Sequence, residues 1–411
     1  MFKLKDLAIN IGVMLGTLTI GLGLAEIGVR VANLQGSTKP IDGGHASFIP
    51  TFFTIPDLTR GWSYRPNAEG LYKDEGEAYL KFNSAGLRGP EVSLKKPTDT
   101  IRIAVLGDSF TSAVQVELEK TYAEVMEKEL NNKCPYLADQ KIEVINFGVN
   151  GYGTAQELFT LQQQVWDYDP DLVVLGFYIG NDLMNNSMKL ADNLYSPFFV
   201  YDKNGNLGID MSFPSKSLKE ANRYFNVKID LLPGWLINNV RLLQLARQIE
   251  VNYEKKRLND FMFNLESNVY RQPKNPEWQE AWDITEQLLT FFAKDVKQQG
   301  KDFLLVTIAS ANQVIPDANI RKAYMESHQI NNLFYPDQRI KALGDRQGFR
   351  VFNLGEPFQQ YAEANNTCLH GFQGTCGGHW NEKGHKLAGE MIADKLCKKY
   401  LKKSSAVNKK S

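Results

Sequence analysis

A serine and a histidine, far apart in the chain, have the chemistry of a nucleophile and its base. Ser109 follows Gly107 and Asp108 directly after an apolar run, and His379 stands in a glycine-rich loop before a helical pattern. Acyl transfer by serine needs a hydroxyl, a base that takes its proton, and donors for the oxyanion. Because a free imidazole titrates near ~6.5, it suits a base at neutral pH. The sequence therefore predicts Ser109 and His379 as catalytic residues.

Two further positions offer hydrogen-bond donors to an oxyanion. Gly151 stands in a turn after the second predicted strand, and Asn181 stands at the end of the third. A glycine N–H can point into a site without a side chain in the way, and the Asn181 amide is a second donor. All four positions fall at or just after the carboxyl ends of predicted parallel strands, which share one edge of a sheet. We therefore expect them to converge.

Strands and helices alternate along the part of the chain that must position these residues. Short apolar runs predict five strands near residues 103–106, 142–147, 171–178, 303–308 and 349–352. Helical patterns lie between them, including 278–299, and a closing helix covers about 382–401. This alternation predicts a parallel sheet with helices on both faces. An insertion from 183 to about 275 follows the third strand and is too long for a bare connection. It is placed to form a lid or substrate wall, with a structural flap as the alternative.

These residues also carry a family resemblance. The chain resembles the SGNH (GDSL-type) hydrolases in four sequence blocks, which here read Gly107-Asp108-Ser109, Gly151, Gly180-Asn181-Asp182 and His379. The match covers roughly residues 101–400. The chain is also similar to a subgroup that has an N-terminal membrane segment, the stretch Asn83–Gly89, and a His-Trp-Asn-x-x-Gly-His ending.

The resemblance implies a fold and a reaction. The fold would be α/β, a three-layer α/β/α flavodoxin-like parallel sheet with the large insertion after the third strand. The reaction would be ester hydrolysis or acyl transfer that needs no metal and no other cofactor. Ser109 would be the nucleophile, and the N–H groups of Ser109 and Gly151 would form the oxyanion hole with the Asn181 amide.

One element departs from the family pattern. The family has an aspartate two or three residues before the histidine, where this chain has Gly377 and Cys376, and no carboxylate lies between Glu363 and His379. We expect a backbone carbonyl, or a distant acid such as Glu356 or Glu363, to orient the base. A slow enzyme or a non-catalytic relative is the alternative. Of the neighbouring histidines, His385 is predicted to be structural. His370 is predicted to lie on a surface loop, with substrate contact as the alternative.

The N-terminus contains an apolar segment of membrane-spanning length. Residues 7–25 carry no charge and follow Lys3 and Lys5. About 20 apolar residues span a bilayer, and the positive flank favours a cytoplasmic N-terminus with the body outside. Residues 1–32 are therefore predicted to be an anchor, because apolar residues continue to Val31. A signal peptide cut after Ala25 is the alternative.

Composition bounds the remaining regions. Residues 33–100 are rich in Gly, Pro and aromatics, and predict a tether and a small β-rich lead-in to the hydrolase-like domain at 101–401. Residues 402–411 form a basic tail. Four cysteines suit an exported body. A clip between Cys368 and Cys376 and a bridge between Cys134 and Cys397 are both feasible, although sequence leaves the connectivity open.

The predicted function follows from these elements. Lys+Arg and Asp+Glu both total 47, and no basic stripe marks the body, so no nucleic-acid partner is expected. We expect a membrane-anchored, extracytoplasmic serine esterase that acts on acyl esters, such as O-acetyl esters, of carbohydrate or on a small ester. The alternatives are an O-acyltransferase to envelope polysaccharide and a non-catalytic glycan-binding or assembly protein.

Overall fold

The computed structural model describes residues 2–32, 53–73, 75–137, 140–216 and 232–398. The chain divides into two compact units. One comprises Met1–Gly43 with Tyr224–Met262, and the other comprises Gly44–Arg223 with Phe263–Ser411. The expected basic tail at 402–411 and the tether at 33–52 lie outside the described residues.

Strands and helices are numbered here in chain order. The strands are β1 (Thr54–Asp57), β2 (Gly61–Tyr64), β3 (Glu69–Tyr72), β4 (Ala78–Lys81), β5 (Thr100–Gly107), β6 (Lys141–Asn146), β7 (Leu172–Tyr178), β8 (Phe198–Tyr201), β9 (Leu207–Asp210), β10 (Asp302–Ile308) and β11 (Arg350–Asn353). The helices are α1 (Phe2–Val31), α2 (Ser109–Ser112), α3 (Tyr122–Lys133), α4 (Thr154–Gln163), α5 (Asp182–Asn185), α6 (Gly234–Asn239), α7 (Arg241–Glu266), α8 (Pro276–Gln298), α9 (Ala311–Val314), α10 (Ala318–Ser327), α11 (Tyr335–Gln347), α12 (Gly355–Asn365) and α13 (Glu382–Leu396).

Five strands form the central sheet, in the order β11-β10-β7-β5-β6. All neighbouring pairs are parallel. In β5, the residues from Ile103 to Leu106 are at most 1% exposed, as expected for a continuous apolar run that is covered on both faces. The five predicted strands are confirmed, each within two or three residues of its expected bounds.

Helices cover both faces of this sheet, which makes the fold a three-layer α/β/α arrangement. On one face α3 packs against α13, and Cys134 is bonded to Cys397 where these helices end. On the other face α8 packs against β10, α4 and α11. The N-terminus of α3 is capped by the Thr121 hydroxyl, which accepts a hydrogen bond from the N–H of Glu124. The predicted three-layer fold is therefore confirmed.

The lead-in consists of two antiparallel hairpins, β1–β2 and β3–β4. Their inward side chains, including Trp62, Tyr64 and Leu80, form one apolar cluster with Val114 and Tyr152. Val114 follows the Ser109 helix and Tyr152 follows Gly151. The hairpins therefore share their core with the two loops that carry the predicted site.

The insertion after the third strand contains the β8–β9 hairpin, α6 and α7. The longest helix of the insertion is α7, which extends from Arg241 to Glu266. The role of the insertion as a lid or as a flap stays a prediction.

The first unit contains α1, in which Ile9–Val31 has a mean hydropathy of 1.6 and is long and apolar enough to cross a membrane. A signal sequence meets the same criterion. Beyond the uncharged stretch, the Glu26 carboxylate accepts hydrogen bonds from the N–H groups of Arg241 and Leu242, at the start of α7. Arg30 pairs with Glu26 and donates to the Asn239 carbonyl. Glu26 thus serves as an N-terminal cap for α7, where a negative charge is favourable.

Candidate active site

Ser109 is presented by a tight turn at the end of β5. A Cβ at Gly107 would lie 2.1 Å from the Thr111 hydroxyl and 2.8 Å from the Gly176 carbonyl, so only glycine fits this position. The Asp108 side chain then accepts the N–H of Phe110 at 3.0 Å and caps the short helix α2. This turn holds Ser109 at the carboxyl edge of the sheet, as the sequence predicts.

The His379 ring lies against this serine. Its Nε2 atom is 2.8 Å from the Ser109 Oγ, although the two residues are 270 positions apart in the chain. That distance is within the hydrogen-bond reach that a general base needs. The structure thus brings the predicted catalytic pair together.

A carboxylate occupies the other side of the ring. The Glu75 Oε2 lies 2.5 Å from His379 Nδ1, and the Glu75 Oε1 accepts the backbone N–H of His379 at 2.8 Å. A carboxylate at Nδ1 fixes the tautomer of the imidazole and stabilises the imidazolium that forms during acyl transfer. Gly378 makes this approach possible, because a Cβ there would lie 2.0 Å from the Glu75 Oε1. Ser109, His379 and Glu75 therefore have the connectivity of a catalytic triad.

The acids that sequence analysis offered for this position do not contact His379 Nδ1. Glu363 forms an ion pair with Arg321, and Glu356 lies in the first turn of α12. Both suggestions are wrong, as is the suggestion of a backbone carbonyl. The missing aspartate is replaced from the lead-in, by a residue in the turn between β3 and β4.

A hydrogen bond connects the loop that contains Gly151 to α2, the helix that begins with Ser109. Gly151 has a φ of +75°, which favours glycine. Its neighbour Asn150 accepts the Ser112 hydroxyl at 2.6 Å and donates its N–H to the Tyr64 hydroxyl at 3.2 Å. The indole of Trp62 donates to the Asn150 carbonyl at 2.9 Å. Two lead-in side chains therefore hold this loop beside α2.

Asn181 is the N-cap residue of α5, and a hydrogen bond from its side chain partly offsets the rise that burial causes in the pKa of Asp108. The Asn181 Oδ1 is buried and has no hydrogen-bond partner among the described residues. The contact with Asp108 turns the amide nitrogen toward the residue that precedes Ser109. The roles of Asn181 and Gly151 as oxyanion donors stay predictions.

The stretch Asn83–Gly89 supports the segment that follows Ser109. Arg88 is 4% exposed, and its guanidinium donates to the carbonyls of Ser112, Ala113 and Val116. Burial lowers the pKa of Arg88 to about 10, so it stays charged at neutral pH. Because these three carbonyls lie at the end of α2 and just beyond it, Arg88 fixes the C-terminal end of α2, the helix that begins with Ser109.

Three buried acids lie behind the nucleophile turn. Burial raises the pKa of Asp108, Glu157 and Asp182, and their mutual repulsion raises the pKa of Glu157 and Asp182 further. Asp182 accepts the N–H of Tyr178 at 2.8 Å, as expected for an acid that stabilises its own turn. Within residues 2–32, 53–73, 75–137, 140–216 and 232–398, no group of three or more His, Cys, Asp or Glu residues is arranged to hold a metal.

Two other histidines are interior residues. His370 is 1% exposed and its Nε2 lies 3.0 Å from the Ala309 carbonyl, so the prediction of a surface position is wrong. Burial lowers the pKa of both His370 and His385 to about 3, which keeps them neutral. The structural role predicted for His385 agrees with its burial beside Tyr122. A disulfide between Cys368 and Cys376 closes the loop that contains His370 and ends three residues before His379.

Comparison with solved structures finds similar chains among esterases and lipolytic proteins. One is an acetyl xylan esterase, with 16% identity, 72% of this chain and 99% of that chain covered, and a TM-score of 0.37. Another is described as a lipolytic protein of the G-D-S-L family from Desulfitobacterium hafniense DCB-2. It has 11% identity and a TM-score of 0.35, with 71% of this chain and 98% of that chain covered. A third is a lipase/acylhydrolase from Enterococcus faecalis, with 13% identity, 72% and 96% covered, and a TM-score of 0.37.

No family model matches the chain, and no curated protein matches it. The TM-scores of these structures lie below 0.5, so the function is inferred from the geometry of the site alone.

Proposed function

We propose that this protein is a serine esterase of SGNH type, which hydrolyses acyl esters through an acyl-Ser109 intermediate. The observation that carries the proposal is the chain of contacts from the Ser109 Oγ to His379 Nε2, and from His379 Nδ1 to Glu75, with heavy-atom distances of 2.8 and 2.5 Å. A serine hydroxyl, a base and an orienting acid, connected in this order, are the requirements for activating a serine.

The reaction proceeds in two halves. His379 accepts the Ser109 proton as the Oγ attacks the ester carbonyl, and the N–H groups of Ser109 and Gly151, with the Asn181 amide, stabilise the oxyanion. Collapse of the tetrahedral intermediate transfers the proton from His379 to the departing alcohol. Water, activated by the same imidazole, then cleaves the acyl-enzyme and restores Ser109. Glu75 stays ionised throughout and stabilises the imidazolium.

The proposed location is outside the cytoplasm, with α1 as a single membrane anchor and the N-terminus inside. Lys3 and Lys5 before the apolar segment support this orientation. Two disulfides among the described residues support an oxidising compartment. The proposed substrates are therefore esters at the cell envelope, namely O-acylated carbohydrate or a small ester.

The alternatives differ in what the site does with the acyl group. A non-catalytic glycan-binding protein was suggested by the missing aspartate, and Glu75 now accounts for that position. An acyltransferase would use the same residues and would differ only in passing the acyl group to a sugar hydroxyl instead of water. We favour hydrolysis because water, as the acceptor of the acyl group, needs no binding site of its own, whereas a sugar acceptor does.

The experiment is labelling of the full-length protein in detergent with a serine-reactive fluorophosphonate, followed by peptide mapping. We expect the label on Ser109 alone, and turnover of p-nitrophenyl acetate that disappears in Ser109→Ala. Labelling at another residue, or none, contradicts the proposal. Product analysis with and without an added polysaccharide then separates hydrolysis from acyl transfer.

A further inference from the structure

The last turns of α1 are hydrogen-bonded to the junction between α6 and α7. The Glu26 carboxylate accepts the N–H groups of Arg241 and Leu242 at 3.0 and 2.9 Å. The Arg30 guanidinium donates to the Asn239 carbonyl at 2.7 Å, across 209 positions of the chain. All these residues belong to one compact unit. The apolar N-terminal helix and the insertion are therefore joined at this junction.

This junction lies where the apolar segment of α1 ends. Residues 7–25 carry no charge. At about 1.5 Å per residue this stretch of helix is about 28 Å long, close to the roughly 30 Å of a hydrocarbon core. Glu26 is the next residue, so with α1 across the bilayer its carboxylate lies at the outer boundary between hydrocarbon and headgroups. A charge is costly there unless it is paired, and α7 and Arg30 supply its partners.

Two large apolar side chains are exposed beside the same junction. Trp235, the second residue of α6, is 68% exposed, and Leu232, just before this helix, is 38% exposed. Trp235 stands four residues before Asn239, which is about 6 Å along a helix. A headgroup layer is itself roughly 5 to 7 Å thick. The bonded contact with α1 thus keeps Trp235 within about one headgroup layer of the hydrocarbon boundary.

The position of these side chains favours lipid over protein as their partner. Tryptophan is enriched at the membrane–water interface, because its ring is apolar and its N–H finds polar partners among the headgroups. A protein bound to Trp235 and Leu232 would have to occupy the layer through which α1 itself passes. Headgroups fill that layer around any spanning helix, so the bilayer is the occupant that the anchor already supplies.

We propose that residues 232–239 lie in the headgroup layer of the bilayer that α1 crosses, with Trp235 and Leu232 as the side chains that enter it. The insertion thereby makes a second membrane contact beside the anchor. This contact limits rotation of α6 about α1 and keeps the start of α7 at the membrane surface. The inference rests on the anchor in the proposed function and does not depend on the esterase reaction.

The test is tryptophan quenching in the full-length protein, reconstituted into phosphatidylcholine nanodiscs. The emission of Trp235 is obtained by subtracting the spectrum of Trp235→Phe from that of the parent. Lipid brominated near the headgroup end of its acyl chains should remove most of this emission, because bromine quenches at short range. Iodide in solution should remove little of it. Quenching by iodide without quenching by brominated lipid would overturn the inference.

Trp278→Phe is the matched control, since Trp278 in α8 is 5% exposed. Its emission, obtained by the same subtraction, should respond to neither quencher. If brominated lipid quenches both tryptophans equally, the effect is not specific to α6 and the inference fails. In a Trp235→Phe background, Leu232→Trp should restore an emission that brominated lipid quenches.

Flotation with phosphatidylcholine vesicles separates failure of this inference from failure of the anchor. Full-length protein that does not float with the vesicles contradicts the proposed anchor. Protein that floats, but whose Trp235 is quenched by iodide and not by brominated lipid, contradicts this inference alone.

Discussion

The central sheet and the lead-in contribute to the site in different ways. The sheet and its helices carry the reacting atoms, since Ser109 follows β5 and His379 precedes α13. The lead-in carries groups that orient them. Glu75 contacts the His379 ring, and Arg88 donates hydrogen bonds to carbonyls at and beyond the end of α2. A core that folds correctly would therefore still lack an oriented base. Reactivity and positioning are divided between two parts of the chain, and substitutions in each part should fail differently.

The largest effects are expected in the core. Ser109→Ala and His379→Ala should each lower kcat for p-nitrophenyl acetate by about 10⁴-fold or more, because each removes a member of a unit that acts together. The double variant should be about as slow as either single one. The measurement is steady-state hydrolysis by full-length protein. If the two losses multiply in the double variant, the serine and the histidine do not act as one unit.

The next largest effect is expected in the lead-in. Glu75→Gln should lower kcat by roughly 10³- to 10⁴-fold, since an amide of the same shape neither fixes the productive tautomer nor stabilises the imidazolium. The matched control is Glu356→Gln, an acid that the sequence suggested for this role, and its kcat should stay within about twofold of the parent. If Glu356→Gln loses activity while Glu75→Gln keeps it, the acid that orients His379 is Glu356 and not Glu75.

Arg88→Met should combine a loss of stability with a loss of activity. The apolar side chain removes three buried hydrogen bonds from a charged donor, which costs about 3 kcal/mol of unfolding free energy. Because the accepting carbonyls belong to α2 and its continuation, kcat should fall by about tenfold even in fully folded protein. Urea unfolding and kcat are measured on one preparation. Arg88→Lys should recover part of both, whereas a stability loss with full kcat would limit Arg88 to a structural role.

Much of the core could be predicted from the sequence because its signals are local. An apolar run ended by Gly107 marks β5, and Thr121 with Glu124 marks the start of α3. The nucleophile, the base and the two suggested oxyanion donors came from short motifs with defined order. These features depend on neighbouring residues, which a sequence displays directly.

The orienting acid could not be predicted, because its contact joins residues 304 positions apart. The sequence predicts a β-rich lead-in, and the stretch that follows Tyr72 in the sequence contains Asp74, Glu75 and Glu77. Nothing in the sequence ranks these three carboxylates or shows that this stretch reaches His379. The burial of His370 was missed for a related reason. Its loop has a surface composition, but a disulfide and the packing of Trp380 bring the loop into the core.

Tyr64→Phe should have a smaller effect than the substitutions above. Its hydroxyl bonds to the Ser112 Oγ at 2.7 Å and accepts the N–H of Asn150 at 3.2 Å, so it ties the nucleophile helix to the Gly151 loop. Burial raises the pKa of Tyr64 to about 12, and the phenol therefore acts uncharged. Removing it should cost about 1 kcal/mol of transition-state stabilisation, or about fivefold in kcat/KM. Tyr79→Phe, whose parent side chain is 52% exposed, is the control and should change little. Equal effects of the two would show that the Tyr64 bridge is not used.

The smallest effect is the change in the free energy of unfolding with pH. It distinguishes the two regions, because buried histidines occur in the core whereas residues 53–89 contain no histidine. Burial lowers the pKa of His370 to about 3, against about 6.5 in the unfolded chain. Between these values the unfolded state binds a proton that the folded state does not, so stability falls as pH falls through this window. From pH 7.5 to pH 6 the loss from His370 should be about 0.8 kcal/mol.

His370→Gln keeps an N–H for the Ala309 carbonyl and removes the titration. Urea unfolding at both pH values should therefore show a decline smaller by that amount in the variant. An equal decline in parent and variant would mean that the pKa of His370 is the same in the folded and unfolded states, which contradicts its burial against Ala309.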